Sequence, residues 1–315
     1  MKFRYLITVG LAWPLLVAQL SLADGGRDLT LAVDEGVLHG TLLDPGTASD
    51  LVIVHPGSGP SDRDGNQPGM RNDSLRLLAE ALAAANLAVL RYDKRGVGES
   101  RTDQAESDLR PSHYINDLAA WATWARREGG FGRVVLLGHS EGALFAKAAA
   151  LRVDVDAVIS LAGSGRPIGV LLLEQTEGRR PGEIDQQFRD ILTELEAGRQ
   201  VEDVPPVLAT LFRPSVQPYL IEWLALDPAE LAKDLAVPLL VVAGSTDLQV
   251  VRADFDALAE SADRAVWIVG MNHVLRDQDG PLEQQVASYL SADAPLHADL
   301  VPALLQFLQP TTRMD

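Results

Sequence analysis

Gly138-His139-Ser140-Glu141-Gly142 sets a serine between two glycines, and the residues on either side give that serine a structural context. Val134-Val135-Leu136-Leu137 before it is a short, β-branched apolar run suited to a buried strand. Ala143 to Leu151 after it is almost all alanine and leucine, which predicts a buried helix. A strand, a sharp turn and a helix with serine at the apex form a nucleophile elbow. The glycines allow the close backbone approach, and the turn lifts the hydroxyl clear of the sheet. The competing reading is a small residue in an ordinary turn.

A serine hydroxyl is a weak nucleophile near neutral pH, so it needs a base, and the base needs an orienting carboxylate. Six histidines compete for the first role. His39 falls in an early hairpin, and His139, next to the serine on the turn, is expected to point away from its hydroxyl. His55 ends a strand and is expected to brace the glycine loop after it, while His113 and His297 read as surface or structural. His273, in Gly270-Met271-Asn272-His273, follows the last strand candidate, and loops at the carboxyl ends of parallel strands are where such a sheet assembles its site. Asp247 closes Gly244-Ser245-Thr246-Asp247 directly after another strand and is the expected orienting acid. Asp254, Asp256 and Glu260 fall on a helix and are expected to be solvated; Asp227 before Pro228 reads as a helix N-cap. The developing oxyanion needs two preorganised N–H donors. The backbone of Glu141 is one, and the loop His55-Pro56-Gly57-Ser58-Gly59-Pro60 supplies the other, with Ser58 favoured and Gly59 second.

Alternating strand and helix patterns must position these groups. Leu29–Val33 and Val37–Leu43 read as a hairpin, followed by strands at 51–54, 88–92, 134–137, 157–162, 238–243 and 265–269. Helices are expected from about residue 74, with leucines 75, 78 and 82 on one face, from 111 to 128, near 252–261 and at the carboxyl end to about 308. This predicts an α/β fold with a mostly parallel sheet and helices on both faces. Between 165 and 235 no strand signal occurs. Ile184, Phe188, Ile191, Leu192 and Leu195 fall at helical spacing, and five prolines cut the remainder into short helices. The segment is expected to be a helical cap over the site rather than an extra layer packed away from it.

Residues 1–23 carry the pattern of a secretory signal peptide: Lys2 and Arg4, an apolar stretch from Leu6 to Leu20, and the small-residue exit Ser21-Leu22-Ala23. The expected organisation is a leader at 1–23, a core at 24–164 and 236–315, and a cap at 165–235, with a periplasmic or secreted product not inserted in the membrane after cleavage. The chain of 315 residues has no cysteine, so it has neither disulfides nor thiolate metal sites. A net charge of −17 argues against a nucleic-acid or anionic-membrane partner. No cofactor or metal is expected.

Beyond the elbow, Gly57-Ser58-Gly59-Pro60 with Asp62-Arg63-Asp64-Gly65-Asn66 is similar to a secreted bacterial branch of the α/β-hydrolase superfamily. Arg91-Tyr92-Asp93-Lys94-Arg95-Gly96-Val97-Gly98-Glu99-Ser100, Arg213-Pro214-Ser215-Val216-Gln217-Pro218-Tyr219, Asp247-Leu248-Gln249-Val250 and Gly270-Met271-Asn272-His273-Val274 resemble that branch as well. The resemblance implies an eight-stranded sheet whose second strand is antiparallel, with the order nucleophile, acid, base that Ser140, Asp247 and His273 follow. Pro56 departs from the wider superfamily, where a glycine commonly follows the histidine. Arg63, Arg91 and Arg95 are expected to pair with Asp62, Asp64 and Asp93, whereas Arg213 could grip a substrate carboxylate. The expected reaction is hydrolysis of small or medium carboxylic esters. The alternatives are an aminopeptidase or amidase holding an α-amine on Glu174 or Glu222, and a catalytically silent binding protein.

Overall fold

The computed structural model describes residues 22–23, 26–176, 178 and 180–308. Most of the expected leader lies outside the described residues; Leu22–Ala23 pairs antiparallel with Gly26 and Arg27.

Eight strands of five or more residues carry the fold: β1 (Gly26–Val33), β2 (Gly36–Leu43), β3 (Asp50–His55), β4 (Ala88–Tyr92), β5 (Arg133–His139), β6 (Ala157–Leu161), β7 (Leu239–Gly244) and β8 (Arg264–Ile268). They form one sheet in the order β1-β2-β4-β3-β5-β6-β7-β8. β2 runs antiparallel to both of its neighbours, and every pair from β4 to β8 is parallel. Two further strands, Leu22–Ala23 and Arg101–Thr102, have two residues each and add to the antiparallel edge. Segments that short carry no periodic signal, so the expected eight become ten among the described residues.

The central strands are buried on both faces, which explains their continuous apolar runs. Successive side chains alternate between two cores. Leu51, Ile53, Val134 and Leu136 face the helices α2 (Pro111–Arg127) and α3 (Glu141–Ala150). Val52, Val54, Val135 and Leu137 face α1 (Ser74–Ala84) and the carboxyl-terminal helix Leu300–Leu308. α1 begins where the Asn72 side chain accepts the Ser74 amide, and Leu75, Leu78 and Leu82 all turn inward.

Between β6 and β7 the described residues form five α-helices: α4 (Ile168–Thr176), α5 (Gly182–Glu196), α6 (Ala209–Phe212), α7 (Gln217–Leu224) and α8 (Pro228–Lys233). The amphipathic α5 turns Phe188, Ile191, Leu192 and Leu195 onto Leu208, Phe212 and Leu220, a small core separate from those of the sheet. Asp227 accepts the Ala229 and Glu230 amides and caps α8. The remaining helices are α9 (Arg252–Ala259), α10 (Leu282–Ser288) and α11 (Leu300–Leu308).

Candidate active site

β5 delivers Ser140 to the carboxyl-terminal edge of the sheet, at the turn into α3. Its φ of 57° and ψ of −122° are strained for a residue with a side chain. The surroundings hold it there: the Ser140 amide donates to the Leu161 carbonyl at 2.9 Å. The flanking glycines are steric necessities. A Cβ at Gly138 would lie 2.0 Å from the Gly142 oxygen, and one at Gly142 would lie 2.5 Å from the His55 oxygen.

The structure brings the three expected side chains together. His273 Nε2 is 3.1 Å from Ser140 Oγ, and His273 Nδ1 is 2.7 Å from Asp247 Oδ2. The Asp247 side chain is fully buried, and its other oxygen accepts the amides of Gln249 and Val250 at 2.7 and 3.0 Å. Its two oxygens are thus held by separate partners, which fixes the carboxylate plane toward the imidazole. The two loops converge because Ser245 and Thr246 after β7 donate to the Ile268 and Met271 carbonyls at the end of β8.

His139 makes no hydrogen bond to the Ser140 hydroxyl among the described residues. Its Nε2–H instead donates to the His273 carbonyl at 2.8 Å, with the two rings 5.0 Å apart. Burial, helped by the neighbouring His273, lowers its pKa to about 4, so it stays neutral beside a base that must take up charge. His55 shares a hydrogen bond with the Tyr92 hydroxyl and is also held neutral by burial and by Lys94. Asp254, expected to be solvated, corrects the sequence reading. It is fully buried and paired with Arg166, which also binds Glu174 through two 2.7 Å contacts. Arg63 pairs with Asp93 and Arg91 with Asp64, whereas Arg95 takes Asp117 of α2 through two hydrogen bonds.

Ser140 opens into a cavity of about 730 Å³, within the range usual for small-molecule sites. Ser58, Gly59, Lys94 and Glu141 contribute from the core; Leu171, Leu211, Val216, Tyr219 and Trp223 contribute from the inserted helices. Glu141 heads α3, so its amide has no intrahelical acceptor. The Ser58 amide likewise has no partner among the described residues. The buried Glu141 carboxyl accepts the Tyr219 hydroxyl at 2.7 Å; burial pushes its pKa up while Lys94 pulls it down. Arg213, the expected anion-binding residue of the insertion, is paired with Glu106. Glu222 accepts the Ser112 amide and hydroxyl at 2.7 and 3.2 Å. Lys94 escapes sequence reasoning altogether, although it stands inside a string that marks the loop after β4.

A parallel sheet with an antiparallel second strand, a strained serine between β5 and α3, and loops from β7 and β8 converging on it define a hydrolase-type fold. The sequence profile of the alpha/beta hydrolase family matches residues 51–285, and the chain belongs to that family. It is 29% identical over 204 residues to esterase EstD of Thermotoga maritima, a match covering 65% of this chain and 48% of that protein. The chain therefore spans about half the length of the curated relative it matches. Among solved structures, Est1E from Butyrivibrio proteoclasticus with ferulic acid bound aligns with a TM-score of 0.58 at 18% identity, covering 83% of this chain and 96% of that one. The Pyrococcus furiosus esterase Pf2001 aligns with a TM-score of 0.56 at 17% identity, covering 88% and 95%. At these identities the structural likeness speaks to the fold.

Proposed function

We propose that the protein is a serine esterase acting on small or medium carboxylic esters through an acyl-enzyme. The observation that carries this reading is the hydrogen-bonded line Asp247–His273–Ser140 ending at a largely apolar cavity. Ser140 attacks the ester carbonyl while His273 Nε2 takes its proton, and Asp247 holds the imidazole in place and stabilises its cation. The amides of Glu141 and Ser58 stabilise the tetrahedral oxyanion. His273 then protonates the departing alcohol and activates the water that releases the acid. The esterase name of the sequence relative supports the same reading.

The peptidase alternative loses its proposed anchors, since Glu174 is occupied by Arg166 and Glu222 by Ser112. A panel of p-nitrophenyl esters and aminoacyl-nitroanilides, assayed with the native protein and Ser140→Ala, tests the proposal. Ester turnover that disappears in the variant supports it; undiminished turnover, or preference for the anilides, ends it.

We further propose that the protein is exported and belongs to the secreted branch whose loop strings it shares. Cleavage after Ala23 would remove a two-residue pairing and leave β1 whole. Mass spectrometry of the mature chain should find Asp24 at its amino terminus; a product retaining residues 1–23 contradicts export with cleavage.

A further inference from the structure

The lysine after β4 takes no part in the proton relay, yet it is held with unusual care. Lys94 is 3% exposed, and its ammonium donates to the carbonyl oxygens of Gly57 and Gly59, the latter at 2.7 Å. It also lies over the Tyr114 ring, 5.9 Å from the centroid. Burying an ammonium group is costly unless its donors are satisfied, so a cation here calls for a reason that an apolar residue would not meet.

Peptide geometry supplies one. The Gly57 carbonyl and the Ser58 N–H belong to a single planar unit, and in a trans peptide they point in opposite directions. A cation that grips the Gly57 oxygen therefore fixes the direction of the Ser58 N–H. The Gly59 oxygen belongs to the peptide before Pro60, which has no N–H to orient, so that contact steadies the other arm of the loop. The Ser58 carbonyl is held separately, by Ser61 Oγ at 2.8 Å and Gln67 Nε2 at 3.1 Å. All three carbonyls of residues 57–59 are thus occupied, while the amides of the same residues have no partner among the described residues. The loop also touches the nucleophile: a Cβ on Gly57 would sit 3.1 Å from Ser140 Cβ.

We propose that Lys94 is a positioning residue for the oxyanion hole, gripping the Gly57 carbonyl so that the Ser58 N–H faces the oxygen of the tetrahedral intermediate. The same contact polarises the peptide and makes its N–H a stronger donor. Burial draws the lysine's pKa down to about 8, with Glu141 opposing, and the group remains a cation at neutral pH. The inference rests on the acyl-transfer reading of Ser140.

The test compares kcat and KM for p-nitrophenyl butyrate in Lys94→Met, Lys94→Arg and the native protein, with melting temperatures alongside. Lys94→Met is expected to lose about 10²-fold in kcat with KM changing less than about threefold, near the cost of one missing oxyanion donor. Affinity for a trifluoromethyl ketone, whose hemiketal mimics the intermediate, should fall by a similar factor. Lys94→Arg, which keeps a cation, should recover part of both. A folded Lys94→Met protein with native kcat, or a loss carried by KM, overturns the proposal. If methionine prevents folding, the native protein still answers by ¹H–¹⁵N spectroscopy. On hemiketal formation the Ser58 amide proton should move strongly downfield; a response at Gly59 with none at Ser58 overturns the assignment. Failure of the acyl-transfer reading would show separately, as undiminished hydrolysis by Ser140→Ala.

Discussion

The floor of the cavity and its helical roof are held in different ways. Around Ser140 most positions are fixed through the main chain: the Ser140 amide on Leu161, Gly138 interlocked with Gly142, Gly142 against His55, and Asp247 held by two amides. The inserted helices have a small core of their own and reach the sheet domain largely through side chains. Arg213 and Ser215 meet Glu106, Tyr219 meets Glu141, Glu222 meets Ser112, and Arg166 meets Asp254. Main-chain contacts survive most substitutions, whereas each side-chain contact is lost with a single one. On the proposed acyl-transfer reading, the difference assigns chemistry to the floor and selectivity to the roof.

Substitutions in the floor should therefore act on kcat and those in the roof on KM. The largest effect is expected for Ser140→Ala, with kcat lowered about 10⁵-fold or more and the melting temperature preserved; a small loss would mean that the floor does not do the chemistry. Asp247→Asn should lower kcat by about 10³- to 10⁴-fold, because the imidazole loses its orienting acceptor. Steady-state kinetics of that variant would break the comparison if KM alone rose.

Lys147 tests the floor through stability rather than rate. It lies within α3, fully buried, and its ammonium has no partner among the described residues. Burial lowers its pKa from 10.5 to about 7. The unfolded chain keeps this proton up to about pH 10, while the folded chain releases it near 7, so the unfolded state binds more protons in between. The group's contribution thus favours folding increasingly as pH rises through that window. Lys147→Met should stabilise the protein by about 2 kcal/mol or more at pH 6, with a smaller gain at pH 9. Urea unfolding at the two pH values checks this, and an equal gain at both would contradict it.

The smallest effect is expected in the roof. The Arg213–Glu106 pair is more than two-fifths exposed on both sides, and such pairs contribute about 1 kcal/mol or less. Glu106→Gln should shift KM a few-fold and leave kcat near native. A large fall in kcat would show that the roof also holds the reacting groups.

The floor was far more legible in the sequence than the roof. The elbow is local: β-branched residues, a glycine-flanked serine and an alanine-rich run lie side by side, and the observed β5 and α3 follow that order. Asp247 and His273 could be located because each stands a few residues beyond a clear strand, and parallel strands present those ends together. Asp254 was misjudged because helical spacing shows which residues share a face, but not that Arg166, 88 positions away, covers that face. The partner of His139 was hidden for a related reason: it is a backbone oxygen 134 positions away, and backbone acceptors leave no mark in a sequence. The contacts of Lys94 are hidden in the same way, since both of its acceptors are carbonyls.

Helix α5 has its principal neighbours in α4 and α7, both in the same insertion. Its buried side chains hold the insertion together, and none of its residues lines the cavity or touches the Asp247–His273–Ser140 line. Directed evolution toward new esters would do best to keep that buried face and to vary Leu171, Leu211 and Trp223 on the neighbouring helices, which line the cavity without joining that line.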